Sequence, residues 1–98
     1  MKGVAHAAMT TEADLLARFA GRGLTAQRWS NAPGAVYGSH EHPYGKVLAI
    51  TAGSITLTVE APTRVVRLRA GDWLELPPRT AHRAVVGPEG VVCLEAHC

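Results

Sequence analysis

From residue 24 onward, the sequence is a succession of short β-rich runs separated by glycine and proline, and this texture restricts the chain to an all-β fold. In the run 54–60, Ile55, Leu57 and Val59 alternate with polar residues, which is the period of a strand buried on one side only. The sequence predicts eight strands, over residues 24–30, 36–42, 46–52, 54–60, 65–69, 73–76, 81–86 and 91–96. Many short strands with regular turn signals close on themselves, so we expect a sandwich or a barrel.

The last predicted strand shows the same alternation. Val92 and Leu94 alternate with Cys93 and Glu95. Because neighbouring side chains of a strand point to opposite faces, this pattern predicts that Glu95 lies on the outer face of the barrel, opposite the apolar pair.

One short helix precedes the strands. Leu15, Leu16 and Phe19 recur on one face of the segment 10–21, which is the only stretch with a helical period. Thr11 supplies an N-cap signal before this run. We therefore predict a single N-terminal helix over residues 10–21.

The length of the chain limits its domain organisation. Its 98 residues suffice for one hydrophobic core, and a composition that is 47% hydrophobic and 18% charged supplies the apolar area that folding requires. We expect one domain over residues 1–98, in which residues 1–9 form a flexible tail, residues 10–21 the helix and residues 24–97 the barrel.

The charge pattern excludes one class of partner. The formal net charge of +2 arises from ten lysine and arginine residues against eight aspartate and glutamate residues, and the basic residues are spread along the chain. Nucleic-acid-binding domains concentrate positive charge on one stripe or helix, so we expect no nucleic-acid partner.

Apolar stretches and cysteines indicate the compartment. No apolar run approaches the roughly 20 residues of a membrane span, and residues 1–9 are too short and too weakly apolar for a signal sequence. Cys93 and Cys98 lie close together at the C-terminal end, where a structural disulfide is not expected. We therefore expect a protein of the reducing cytoplasm that has no membrane partner.

The candidate functional residues are three histidines. His40 and His42 are separated by one residue in a predicted strand, so their side chains point to the same face about 7 Å apart and can lean toward one metal ion. His82, at the start of another strand, is the candidate for a third ligand. Taken alone, the pair is better explained as two polar residues on a solvated strand face than as metal ligands.

The spacing around these histidines resembles the first motif of the cupin superfamily, which runs Gly, five residues, His-x-His, three or four residues, Glu, six residues, Gly. Gly34, His40, His42 and Gly53 fall at the required positions. The glutamate position of the motif is occupied by Lys46.

The second cupin motif, Gly, five residues, Pro-x-Gly, two residues, His, three residues, Asn, is matched in part. Gly71, Pro77 and His82 fit the motif, whereas Arg79 replaces its second glycine and Val86 its asparagine. Seven matched positions in two ordered blocks make the resemblance specific.

The resemblance implies a single jelly-roll barrel in which His40, His42 and His82 bind one divalent transition metal ion. Three neutral imidazoles suit Zn, Fe, Ni, Cu or Co, and the residue types do not choose among these metals. The family also commonly dimerises, so we expect a homodimer whose contact is formed by the apolar N-terminal segment and the first strand.

Lys46 has two interpretations, because a protonated lysine cannot ligate a metal. In the first, it points into the pocket as a catalytic residue, either as a cation that holds a substrate carboxylate or enolate or as a general base. In the second, it lies in water at the mouth of the barrel. Other aromatic and charged residues near the motifs, and the terminal His6 and His97, are interpreted as packing or exposed residues.

Two functions are consistent with these features. The first is a metal-dependent enzyme of the dioxygenase or isomerase type that acts on a small, oxygen-rich molecule. The second is a non-catalytic sensor or binding module for a small molecule. The three histidines favour the enzyme, whereas the missing glutamate and the minimal size of the chain favour the sensor.

Overall fold

The computed structural model describes residues 10–98, so the predicted tail at 1–9 and His6 lie outside the described residues. Within these residues it confirms an all-β jelly roll, with one helix ahead of the strands. The elements are α1 (Glu12–Gly21), β1 (Gln27–Asn31), β2 (Val36–His40), β3 (Lys46–Val59), β4 (Arg64–Arg69), β5 (Trp73–Leu76) and β6 (His82–His97). Within residues 10–98, no helix is both long enough and apolar enough to cross a membrane.

The prediction of eight strands is wrong, because two pairs of predicted strands are each one continuous strand. Residues 46–52 and 54–60 join in β3, and residues 81–86 and 91–96 join in β6. Glycine in these runs marks a bulge rather than a break: the register of β3 against β6 shifts on both sides of Ala52–Gly53 while the pairing continues.

The antiparallel ladder between β3 and β6 forms the centre of the sheet. The first half of β3 also pairs with β5, and its second half pairs with β4. In the same way, the first half of β6 also pairs with β2, and its second half pairs with β1. Each half of the central ladder therefore carries one additional strand on either side.

Both halves contribute to one core. Leu48 and Ile50 come from the first half of β3, Leu57 and Val59 come from the second half, and all four belong to a single buried cluster. The bulged ladder is therefore bent, and its two halves enclose the core between them as in a sandwich. The cluster comprises Leu48, Ile50, Ile55, Leu57, Val59, Leu68, Leu76, Ala84, Val86, Val91 and Cys93.

Helix α1 covers the outer face of one half. Thr11 and Asp14 form a capping box at its start, in which the Asp14 amide donates to the Thr11 hydroxyl at 3.2 Å. Leu15 and Phe19 are buried against a second cluster formed by Val47, Ala49, Leu94 and Ala96. Leu16, which the sequence placed on the same face, is 41% exposed.

Gly53 is the residue whose backbone the bent ladder constrains most. Its φ is +74°, and a Cβ added there would lie 2.0 Å from the carbonyl oxygen of Gly90. Gly34 has a similar φ of +73° but no atom within 4 Å of an added Cβ. We expect Gly53→Ala to lower the free energy of unfolding by more than the approximately 1–2 kcal/mol that the left-handed conformation alone costs Gly34→Ala.

Urea denaturation of the two variants measures this difference. Equal losses of stability would contradict the argument, because they would show that the close approach of Gly53 to Gly90 imposes no constraint of its own.

Candidate metal centre and its cavity

The structure brings the three predicted histidines together. His40 ends β2 and lies directly opposite His82, the first residue of β6, in the antiparallel ladder. His42 follows β2 after one intervening residue. The potential ligand atoms of the three side chains all lie within 4.8 Å of one another, and this is the only such group among residues 10–98.

Two of the imidazoles are oriented by the backbone. The Nδ1 atoms of His40 and His82 lie 2.8 Å from the carbonyl oxygens of Gly38 and Thr80, respectively. A carbonyl oxygen only accepts, so each Nδ1 donates, and in the neutral imidazole Nε2 is then left with a free lone pair. Metal-binding histidines are typically held in this way by their second nitrogen.

His42 is oriented by ring stacking. Its imidazole stacks on Tyr44, with 4.8 Å between the ring centroids and 22° between the planes. Tyr44 in turn stacks on His97 at 3.7 Å. His97, interpreted from the sequence as a packing or exposed terminal residue, is the last residue of β6 and supports the aromatic ring beside a candidate ligand.

The environment favours neutral imidazoles. Burial lowers the pKa of both His42 and His82 below the ordinary value of 6.5, and the positive charge of Lys46 acts in the same direction on both. For His82, which is only 4% exposed, the hydrogen bond to Thr80 partly opposes this shift. The neutral form is the one that binds a metal ion, so the shifts favour ligation near pH 7.

His40 and His82 line a cavity of about 380 Å³ between the two halves of the sheet. Its floor is apolar, and its polar side chains come from β1, β2, β3 and β6. The lining residues are Trp29, Ser30, Tyr37, His40, Lys46, Leu48, Ile55, Leu57, Leu76, His82, Ala84 and Glu95.

Lys46 lies in this cavity rather than in water at the barrel mouth. Its ammonium Nζ is 3.5 Å from Oε2 of Glu95, and the two side chains are only 15% and 21% exposed. The indole Nε1 of Trp29 donates to the other carboxylate oxygen of Glu95 at 2.9 Å. Lys46, Glu95 and Trp29 thus form one polar group inside the cavity.

Glu95 is the functional candidate that sequence reasoning missed, and its predicted outward orientation is wrong. The end of β6 is buried on both faces, with Cys93 in the cluster between the sheet halves and Leu94 under the helix. Alternation of apolar and polar residues therefore carries no information about which face is outside. No local sequence pattern signals the position of Glu95, because tertiary packing determines what covers each face of β6.

The donor set fits a divalent transition metal. Three imidazole nitrogens are the ligands that Zn, Fe, Ni, Cu and Co accept in proteins, and three protein ligands leave coordination positions open. Lys46 provides no fourth ligand because its ammonium has no lone pair. The arrangement is therefore that of an open site rather than a closed structural one.

Comparison with known proteins identifies the architecture. A family model described as "Cupin domain" matches residues 27–96. None of the curated proteins compared with the sequence matches it.

Solved structures resemble the chain across 76% of its length. An RmlC-like cupin from Shewanella frigidimarina is 27% identical, with a TM-score of 0.62 over 64% of that protein. The DMSP lyase DddQ from Ruegeria pomeroyi is 24% identical, with a TM-score of 0.67 over 37% of its chain. A deletion mutant of oxalate decarboxylase from Bacillus subtilis is 21% identical, with a TM-score of 0.69 over 20% of its chain. This chain thus spans less than two thirds of each of the three.

The lowered pKa values predict how the stability of the metal-free protein depends on pH. Folded His82 has a pKa below 6.5, so below that pH the unfolded state binds more protons than the folded state. Its contribution to stability is complete above pH 6.5 and is lost as the pH falls through the folded pKa. We expect the free energy of unfolding to fall between pH 7.5 and pH 5, as measured by urea titration of metal-free protein.

The matched control for this measurement is His82→Gln, whose amide can still donate to the Thr80 carbonyl but does not titrate. This variant should lose less stability over the same pH interval. An identical pH dependence in the two proteins would show that His82 is not responsible.

Proposed function

This chain belongs to the cupin family, and on that premise we propose that it is a small metal-dependent enzyme that acts on a small, oxygen-rich molecule. The proposed reaction is of the dioxygenase or isomerase type. The observation that supports it is the convergence of three imidazoles within 4.8 Å at the edge of a cavity large enough for a small molecule.

His40, His42 and His82 would hold one divalent transition metal ion through their neutral nitrogens. Such an ion, when bound, polarises a substrate oxygen, and ferrous iron in particular permits oxygen chemistry. Two of the imidazoles are fixed by hydrogen bonds to Gly38 and Thr80, which limits the reorganisation that ligation requires.

In this proposal, Lys46 binds the negatively charged group of the substrate. Its ammonium lies in the cavity and can donate hydrogen bonds to a carboxylate or enolate oxygen. Beside the carboxylate of Glu95, Lys46 acts in this proposal as a fixed cation rather than as a general base. The apolar floor of the cavity limits the access of water to the reacting group.

Two of the similar structures agree with an enzymatic role. They are named as a DMSP lyase and an oxalate decarboxylase, and both names describe enzymes that act on small molecules. Because their identities are below 25%, they support the fold alone and leave the substrate of this chain to experiment.

A second candidate is a non-catalytic sensor or carrier of a small molecule. The observation that favours it is the pairing of Lys46 with Glu95, since an ammonium held by a carboxylate suits ligand recognition and the ammonium itself accepts no proton. The two candidates differ in what happens to the ligand: an enzyme converts it and loses turnover in His82→Ala, whereas a sensor releases it unchanged.

We further propose that the protein is a homodimer. Within residues 10–98, β1 lies at one edge of the sheet and pairs with β6 alone, so we propose its other edge for pairing with a second copy. Sedimentation equilibrium is expected to give twice the chain mass of 10.4 kDa, and a mass that stays at one chain over the accessible concentration range would refute the dimer.

Metal content tests the proposed centre directly. We expect protein purified without a polyhistidine tag or chelator to hold about one equivalent of a transition metal by plasma mass spectrometry, as one three-imidazole site requires. The His40→Ala/His82→Ala double variant should hold almost none, because one imidazole is too few for tight binding.

The control is His6→Ala, which removes a histidine outside both the triad and the stack of His42, Tyr44 and His97, and should keep the equivalent of metal. Circular dichroism verifies that each variant is folded. A native protein that binds no metal even after reconstitution, or a double variant that binds as much as the native protein, would refute the metal centre and leave a ligand-binding barrel.

A further inference from the structure

We infer that the ligand of the cavity is a small monocarboxylate with a short hydrocarbon chain, whose carboxylate pairs with Lys46. This inference rests on the proposed function for the cavity, and it narrows the broad class of small, oxygen-rich molecules to one whose oxygen atoms are confined to a single carboxylate. It is carried by the distribution of charge and apolar surface around the cavity.

The apolar part of the cavity suits a hydrocarbon chain. One wall of the cavity is continuous and apolar. It is formed by side chains from both halves of β3, from β5 and from β6: Leu48, Ile55, Leu57, Leu76 and Ala84. A sugar or another molecule with a hydroxyl on every carbon would leave its polar groups without partners against this wall.

The polar part of the cavity carries a single cation. Of the residues that line it, Lys46 alone is positively charged. Its ammonium has three donors, and among residues 10–98 it forms one ion pair, with Glu95 at 3.5 Å. Glu95 is held on its other oxygen by Trp29, so it stays on one side of the ammonium and leaves the remaining donors for a ligand.

Charge and size restrict the ligand further. The one ammonium of the cavity, already partly offset by Glu95, can pair with a single carboxylate but cannot neutralise a multiply charged anion such as a phosphate. The volume of about 380 Å³ lies near the lower end of the range of roughly 300–1,000 Å³ for ligand pockets. Both properties favour a singly charged molecule of few carbons.

Substitutions of Lys46 and Glu95 should change the affinity for the ligand in opposite directions. If a ligand carboxylate pairs with Lys46, it competes with Glu95 for the same ammonium. Lys46→Met, which removes the cation at similar length, should weaken binding at least tenfold. Glu95→Gln keeps an oxygen that can accept from Trp29 and removes the competing charge, so it should tighten binding.

The probes are acetate, butyrate and hexanoate, titrated into metal-free and metal-loaded protein by calorimetry. We expect affinity to rise about fourfold for each added CH₂ until the chain exceeds the cavity, as the transfer free energy of a methylene predicts. Arg83→Met is the matched control, because Arg83 pairs with Glu60 and does not line the cavity. Lys46→Gln replaces Lys46→Met if the latter does not fold.

The inference is overturned if butyramide binds as tightly as butyrate, if loss of the Lys46 charge leaves affinity unchanged, or if Glu95→Gln weakens binding as much as Lys46→Met. Metal content measured on the same samples separates the two proposals. Metal without carboxylate binding refutes this inference alone. Carboxylate binding that depends on Lys46 in a protein unable to retain metal supports the inference and refutes the metal centre.

Discussion

The antiparallel ladder between β3 and β6 is the interaction on which the other strands depend. β1 and β2 pair with β6, and β4 and β5 pair with β3, so each of these outer strands is attached to the sheet through one of the two central strands. The ladder remains paired through its bulges because Gly53 accepts a positive φ and lets the backbone of Gly90 approach closely. Without the bend, the sheet would be flat and would have two apolar faces. The bend folds it into a sandwich with one enclosed core.

The bend also assembles the site. Lys46 begins β3 and Val59 ends it, and in a straight strand these residues would lie about 43 Å apart at roughly 3.3 Å per residue. His82 pairs with Val59 at one end of the ladder, whereas Lys46 pairs with His97 at the other, yet His82 and Lys46 line one cavity. The imidazoles and the Lys46–Glu95 pair are therefore separate contributions from opposite ends of the same ladder, brought together by its curvature.

Local sequence patterns predicted the histidine triad, because the triad depends on the spacing of residues along the chain. The one-residue separation of His40 and His42 and the motif position of His82 indicated the convergent triad, and Lys46 was recognised as the departure from the motif. The position of Glu95 depends on what covers each face of β6, and the coverage by Leu15 and Phe19 is a property of tertiary packing. The continuity of β3 was missed for a similar reason: a glycine suggests a turn locally, while the partner strand decides whether pairing continues across it.

A molecule that touches both ends of the bent ladder affects the stability of the fold. A ligand that contacts the histidine end and the Lys46 end at the same time binds only the curved sheet, and straightening or parting of the two halves separates its contacts. Binding free energy is then added to the free energy of unfolding by mass action, by RT ln(1 + [L]/Kd). A ligand in the cavity therefore stabilises the curved form of the sheet. The melting temperature of the whole chain should then rise with the fraction of cavities that are occupied.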